Sequence, residues 1–223
     1  MSKALVTRTE YTRAEHVSDV AVHLVALVAA IAAVPVLITL AAVWHGNASA
    51  ITAISIYGAT LIAMIGCSAL YNGFPRAPLN WLFQRLDHSA IYFKIAGTYT
   101  AFTLMTGQGG WLLTGLWGAA LAGSGLRVFG SGRWKWLAFA LYLLMGWAGV
   151  VFGWSIFSAL SAPVLALMLA GGLLYTGGTV FLLWERLPFH NTIWHLFVMS
   201  ATTVFFIAVT MHMVDVSVAI ASN

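Results

Sequence analysis

Apolar residues run along this chain in seven blocks, each long enough to cross roughly 30 Å of hydrocarbon as a helix. They fall at 17–44, 50–72, 86–107, 110–129, 134–153, 156–184 and 191–214, separated by short polar turns. Pro35 and Pro163 lie inside two of these blocks and are expected to bend them. Gly171, Gly172, Gly177 and Gly178 in the sixth block, with Gly146, Gly149 and Gly153 in the fifth, suggest closely packed helices. In the third block, LDHSAIYFKIAGTYT at 86–100, Asp87, Ile91, Lys94 and Thr98 are spaced i, i+4, i+7 and i+11. On a helix that is one stripe. Ionisable groups at membrane depth cost about 2.5–3.5 kcal/mol on insertion scales and usually face the bundle interior. The stripe is therefore a candidate functional surface.

Composition turns this pattern into a fold class. Of 223 residues, 61% are hydrophobic and only 7% are charged, with a mean hydropathy of +0.91. A soluble domain needs more charge on its surface, so the expectation is an all-α integral membrane protein with seven transmembrane helices. Lys3, Arg8 and Arg13 precede the first helix, and Arg76 and Arg85 flank the second connection. Arg127, Arg133 and Lys135 cluster at the fourth connection, and Arg186 lies at the sixth. The intervening loops and the C-terminal tail carry neither residue type. The positive-inside rule then puts the N-terminus in the cytoplasm and the C-terminus outside. This divides the chain into a cytoplasmic segment 1–16, a bundle 17–215 and an external tail 216–223. A pI near 9.5 reflects that asymmetry, and no nucleic-acid partner is expected. A removable signal peptide is not expected at the N-terminus. The single cysteine, Cys67, excludes an internal disulfide and reads as a small core residue. Trp44, Trp81, Trp111, Trp134, Trp136, Trp154, Trp184 and Trp194 fall near predicted helix ends, where amphipathic rings belong.

A few polar positions remain to carry chemistry. Glu15, Asp19 and His23 share a face at i, i+4 and i+8. The first two fall near headgroup level, where a solvated face competes with an inward role. His23 lies deeper, with Asp19 as its expected partner. Ser68 and Asn72 close the second helix one turn apart, and Asn191 and His195 open the last one in the same way. Together with Asp87 they bring three helices to one depth on the cytoplasmic side. His190 is about 140° around the helix from His195 and does not share its face. His190 and His88 are expected to meet solvent, while His45 and His212 belong to the opposite interface.

The segments E-x3-D-x3-H at 15–23, SALYN at 68–72, LDHSAIYFKIAGTYT at 86–100 and HNTIWHLFV at 190–198 resemble the hemolysin III family. That family is the bacterial branch of the group containing the adiponectin and progestin receptors, and the resemblance spans the whole chain. It implies a seven-helix bundle in the bacterial cytoplasmic membrane with a zinc near its cytoplasmic face. It also implies links to lipid amide hydrolysis, as in the ceramidases, and to membrane-lipid homeostasis. The implied metal ligands fall at positions 72, 191 and 195, with Ser68 before the first and Asp87 holding a metal-bound water. Here the three positions are Asn72, Asn191 and His195, and only the last is histidine. The family's GTYTP also ends in Ala101, and an apolar position has become Lys94.

Amide oxygens are weak zinc donors, so the expectation is that zinc is absent or weakly bound. The Lys94 ammonium is expected to reach back toward Asp87 and take over the metal's electrostatic role, unless it faces another cavity or polar helix. Three functions then compete. The first is lipid binding or sensing with a membrane-lipid or fatty-acyl ligand. The second is a zinc-dependent lipid amidase with catalytic Asp87 and Ser68. The third is a proton or ion transporter using Asp19–His23 and Asp87–Lys94, which the lack of any repeated half disfavours.

Overall fold

A computed structural model describes residues 11–130 and 134–222. Those residues form eight helices and no strand: α1 (Arg13–His45), α2 (Ala48–Gly73), α3 (Asn80–Thr106), α4 (Gly110–Phe129), α5 (Lys135–Phe152), the short α6 (Trp154–Phe157), α7 (Ala162–Leu183) and α8 (His190–Ala221). Five of them, α1, α2, α4, α7 and α8, are long and apolar enough to cross a membrane. The protein is a multi-pass membrane protein.

The sixth apolar block does not form one bent helix. It breaks between Phe157 and Ala162, and Pro163 sits in the first turn of α7 with Ser161 as N-cap. Proline has no N–H to lose at a helix start, so it opens the element there. Pro35 does lie inside α1.

α3 is the centre of the bundle and packs on α2, α4, α5 and α8. This explains why it is the most polar of the long helices. Ser89, Lys94, Thr98, Thr100 and Thr103 are all buried, so they face protein and not lipid. Thr98 and Thr100 return their hydroxyls to the carbonyls of Lys94 and Ala96, four residues back, each at 2.8 Å. Small residues let its neighbours approach closely. A Cβ on Gly97 would collide with the Thr60 side chain of α2, and one on Gly123 of α4 would lie 2.8 Å from the Tyr92 ring. The α7–α8 seam is closed in the same way by Gly171 against Phe205 and Gly178 against Phe197. A Cβ on Gly146 would meet nothing within 4 Å, so the fifth-block glycines do not form a uniform seam.

The tryptophans divide. Seven of the eight placed at helix ends are exposed, while Trp194 is buried. It faces inward because the first turns of α8 are packed beneath α1 and α7.

Candidate functional site

The site is built where the N-terminal ends of α1 and α8 meet the C-terminal end of α2. Thr12 caps α1: its hydroxyl accepts from the Glu15 N–H at 3.2 Å, and the Thr12 N–H donates to Glu15 Oε2 at 2.8 Å. The other carboxylate oxygen of Glu15 accepts the Phe189 N–H at 2.8 Å. One side chain therefore caps two helices. Phe189 is the one non-glycine among the described residues with positive φ, at 59°, and that conformation turns its N–H toward α1. Ser18 and Thr192 pair their hydroxyls at 3.0 Å one turn further in. Tyr11 and His190 close the outer end, Oη to Nε2, at 3.0 Å. Partial burial, followed by the nearby Glu185 charge, holds the Tyr11 phenol above its ordinary pKa. His190 is thus buried against Tyr11 rather than open to solvent.

Below this seam lies Asp19, only 5% exposed. His195 Nδ1–H donates to its Oδ1 at 2.6 Å, and Asn191 donates to its Oδ2 at 3.1 Å. Asn191 also donates to the Asn72 carbonyl oxygen at 3.2 Å. Asn72 in turn donates to the Ser68 carbonyl at 2.9 Å and to its hydroxyl at 3.3 Å. Ser68 Oγ lies 2.9 Å from His23 Nε2, and His23 Nδ1 lies 2.8 Å from the Asp19 carbonyl oxygen. A carbonyl only accepts, so Nδ1 carries the hydrogen. In the neutral ring Nε2 then accepts from Ser68. The bonds close a circuit from Asp19 through Asn191, Asn72, Ser68 and His23 back to Asp19.

The circuit changes the reading of three residues. Asp19 and Glu15 are buried, not on a solvated face. His23 does pack against Asp19, but bonds its backbone; the Asp19 carboxylate is 4.0 Å away and is held by His195 instead. The α1 face was visible in the E-x3-D-x3-H spacing, but its connection to α8 was not. One atom each from Asp19, His23 and His195 lie within 4.8 Å of one another, a group able to hold a metal ion. It takes two of its three members from α1, whereas the resemblance implied donors at positions 72, 191 and 195.

Asp87 lies beside the circuit, in reach of Ser68 and His195. It borders a cavity of about 210 Å³ whose wall also includes Ser68, Asn72, His88, Arg127 and His195. Lys94 does not reach it, and among the described residues the two form no ion pair. The Lys94 Nζ lies 5.0 Å from the Tyr175 ring centre and 4.9 Å from that of Phe205. Two aromatic faces from α7 and α8 attract the cation away from α3's N-terminal end. It therefore opens into a second cavity of about 320 Å³ with largely apolar walls. Met64, Ile91, Tyr142, Trp194 and Val198 wall both spaces. The stripe Asp87, Ile91, Lys94 and Thr98 thus runs from one cavity into the other.

The pattern of the family described as Haemolysin-III related matches residues 11–215. The chain is 36% identical over 212 residues to the protein named Hemolysin-3 of Bacillus cereus, covering 94% of this chain and 96% of that one. It is 33% identical over 209 residues to a Hemolysin-3 homolog of Bacillus subtilis (strain 168), covering 92% and 98%.

Proposed function

The chain belongs to the haemolysin-III family, and on that premise we propose that it binds a membrane lipid in its two adjoining cavities and acts in membrane-lipid homeostasis. The observation that carries this reading is the shared wall. A space bordered by Asp87, Ser68 and His195 adjoins a larger apolar one through five common residues. A polar group suits the first and an acyl chain the second. The protein lies in the bacterial cytoplasmic membrane with its N-terminus inside, as the placement of lysine and arginine supports.

Mass spectrometry of lipids released from protein purified in mild detergent tests this. An acyl lipid is expected to be enriched above its share of the host membrane. Val198→Trp, which fills the common wall, is expected to abolish the enrichment. A lipid profile matching the bulk membrane in both proteins rules the reading out.

The Asp19, His23 and His195 group supports a second reading, a zinc-dependent lipid amidase. Two imidazoles and a carboxylate are an ordinary zinc donor set, so the residues fit the ion. Zinc there supplies Lewis acidity to a carbonyl. Affinity is reduced because the donors are already engaged: His195 Nδ1 by Asp19, and His23 Nε2 by Ser68. Asn72 and Asn191 bond one another and add only amide oxygens. Asp87, on the adjoining cavity's wall beside Ser68 and His195, would take a proton in that reading.

A further inference from the structure

Among the described residues, Lys94 is the one charged side chain on the larger cavity, and it is only 3% exposed. Its ammonium has three N–H donors and no acceptor capacity. Among the described residues no carboxylate or hydrogen-bond acceptor meets Nζ; its neighbours are the rings of Tyr175 and Phe205. Aromatic faces attract a cation but accept no conventional hydrogen bond, so all three donors remain to be satisfied. Among the described residues, no nearby hydroxyl lies within hydrogen-bond distance of Nζ, and three of them are bonded elsewhere. Thr98 gives its hydroxyl to the Lys94 carbonyl, the Tyr175 hydroxyl pairs with Thr202 at 2.6 Å, and Tyr99 is bonded to Gly146 and Gly149. Among the described residues, the cavity thus holds a cation with no acceptor in largely apolar surroundings.

We propose that Lys94 binds the carboxylate of a free fatty acid, whose hydrocarbon chain occupies the apolar cavity. A carboxylate supplies the missing charge and acceptors in one group. An acyl chain matches walls such as Phe157, Leu165, Met168 and Leu169. A volume of about 320 Å³ lies at the lower end of the range for small-molecule sites. The inference rests on the lipid reading above and adds to it the chemical class: a monoanionic acid rather than a neutral lipid.

Binding of radiolabelled palmitate and radiolabelled methyl palmitate to the full chain in nanodiscs tests both levels separately. Palmitate is expected to bind at least tenfold more tightly than its ester, because the ester lacks the charge. Lys94→Met, which keeps length and apolar volume, is expected to erase that preference. Lys94→Arg is expected to retain it. Equal binding of acid and ester by the natural protein overturns the carboxylate assignment but leaves the lipid reading standing, and it needs no variant to fold. A tenfold preference that persists in Lys94→Met likewise overturns the role of Lys94. Saturable binding of neither ligand removes the lipid reading as well.

Discussion

At the scale of single residues, Asp19 is the point on which the buried circuit depends. Its carboxylate receives His195 and Asn191, and its backbone carbonyl receives His23. Asp19→Ala leaves the buried His195 donor unmatched, a loss of about 1–3 kcal/mol, and frees the half-buried Asn191 amide as well. Thermal unfolding in detergent is expected to show a clear fall in melting temperature. The asparagines make a second case. Asn72 and Asn191 touch at 3.2 Å, so imidazoles at both positions add nitrogen donors beside His195. Asn72→His with Asn191→His is expected to raise zinc per protein toward one in elemental analysis, and to resist chelator better than the natural chain. An unchanged zinc content would show that these positions do not border the metal group. The one-turn spacings within Ser68–Asn72 and Asn191–His195 made these pairs readable from the chain. The role of Asp19 was not readable in this way. Helical periodicity assigns a residue to a face, but does not say which neighbour that face meets. The surroundings of Lys94 are hidden for the same reason: spacing along α3 points it toward Asp87, while the rings that hold it come from α7 and α8.

At the scale of elements, the α1–α8 seam is tied by one carboxylate that caps both helices. Glu15→Ala removes the capping box of α1 and the acceptor for the Phe189 N–H together. Loss of a helix cap costs about 0.5–2 kcal/mol. Hydrogen exchange is expected to quicken at the first turns of α1 and α8 and to remain unchanged in the middle of α3. Uniform quickening would mean instead that the whole bundle had been weakened. Helix positions were legible because apolar runs of this length have few alternatives. Two details were not. The break before α7 follows from proline's preference for a first turn, which a hydropathy count does not register. The polarity of α3 makes sense only once it is surrounded by four other long helices.

At the scale of the whole molecule, the question is how many helices cross, because five meet the length and composition test while the sequence pattern has seven blocks. Contacts between helix ends decide which number to expect. α1 and α8 run parallel: Tyr11 meets His190 at one end, and His45 donates to the Met213 carbonyl at the other. α3 runs back along the length of α2, since Asn80 bonds the Tyr71 carbonyl and Ser49 bonds that of Leu104. α4 reverses again, with Gly123 against Tyr92 and Trp117 bonded to Thr100. α5 follows the direction of α3, because Tyr92 bonds Ala138 and Tyr99 bonds Gly146. α3 and α5 therefore run alongside their apolar neighbours; the polarity of α3 is screened by the bundle, while α5 is itself apolar and only shorter. The expectation is seven crossings with opposite termini. A fluorescent protein fused before residue 1 should be bright, and alkaline phosphatase fused after residue 223 or inserted between α3 and α4 should be active. An inactive insertion at the α3–α4 turn would mean that α3 does not cross. Lys94, two turns inside from Asp87, would then lie outside the hydrocarbon, where water rather than a ligand would satisfy its donors.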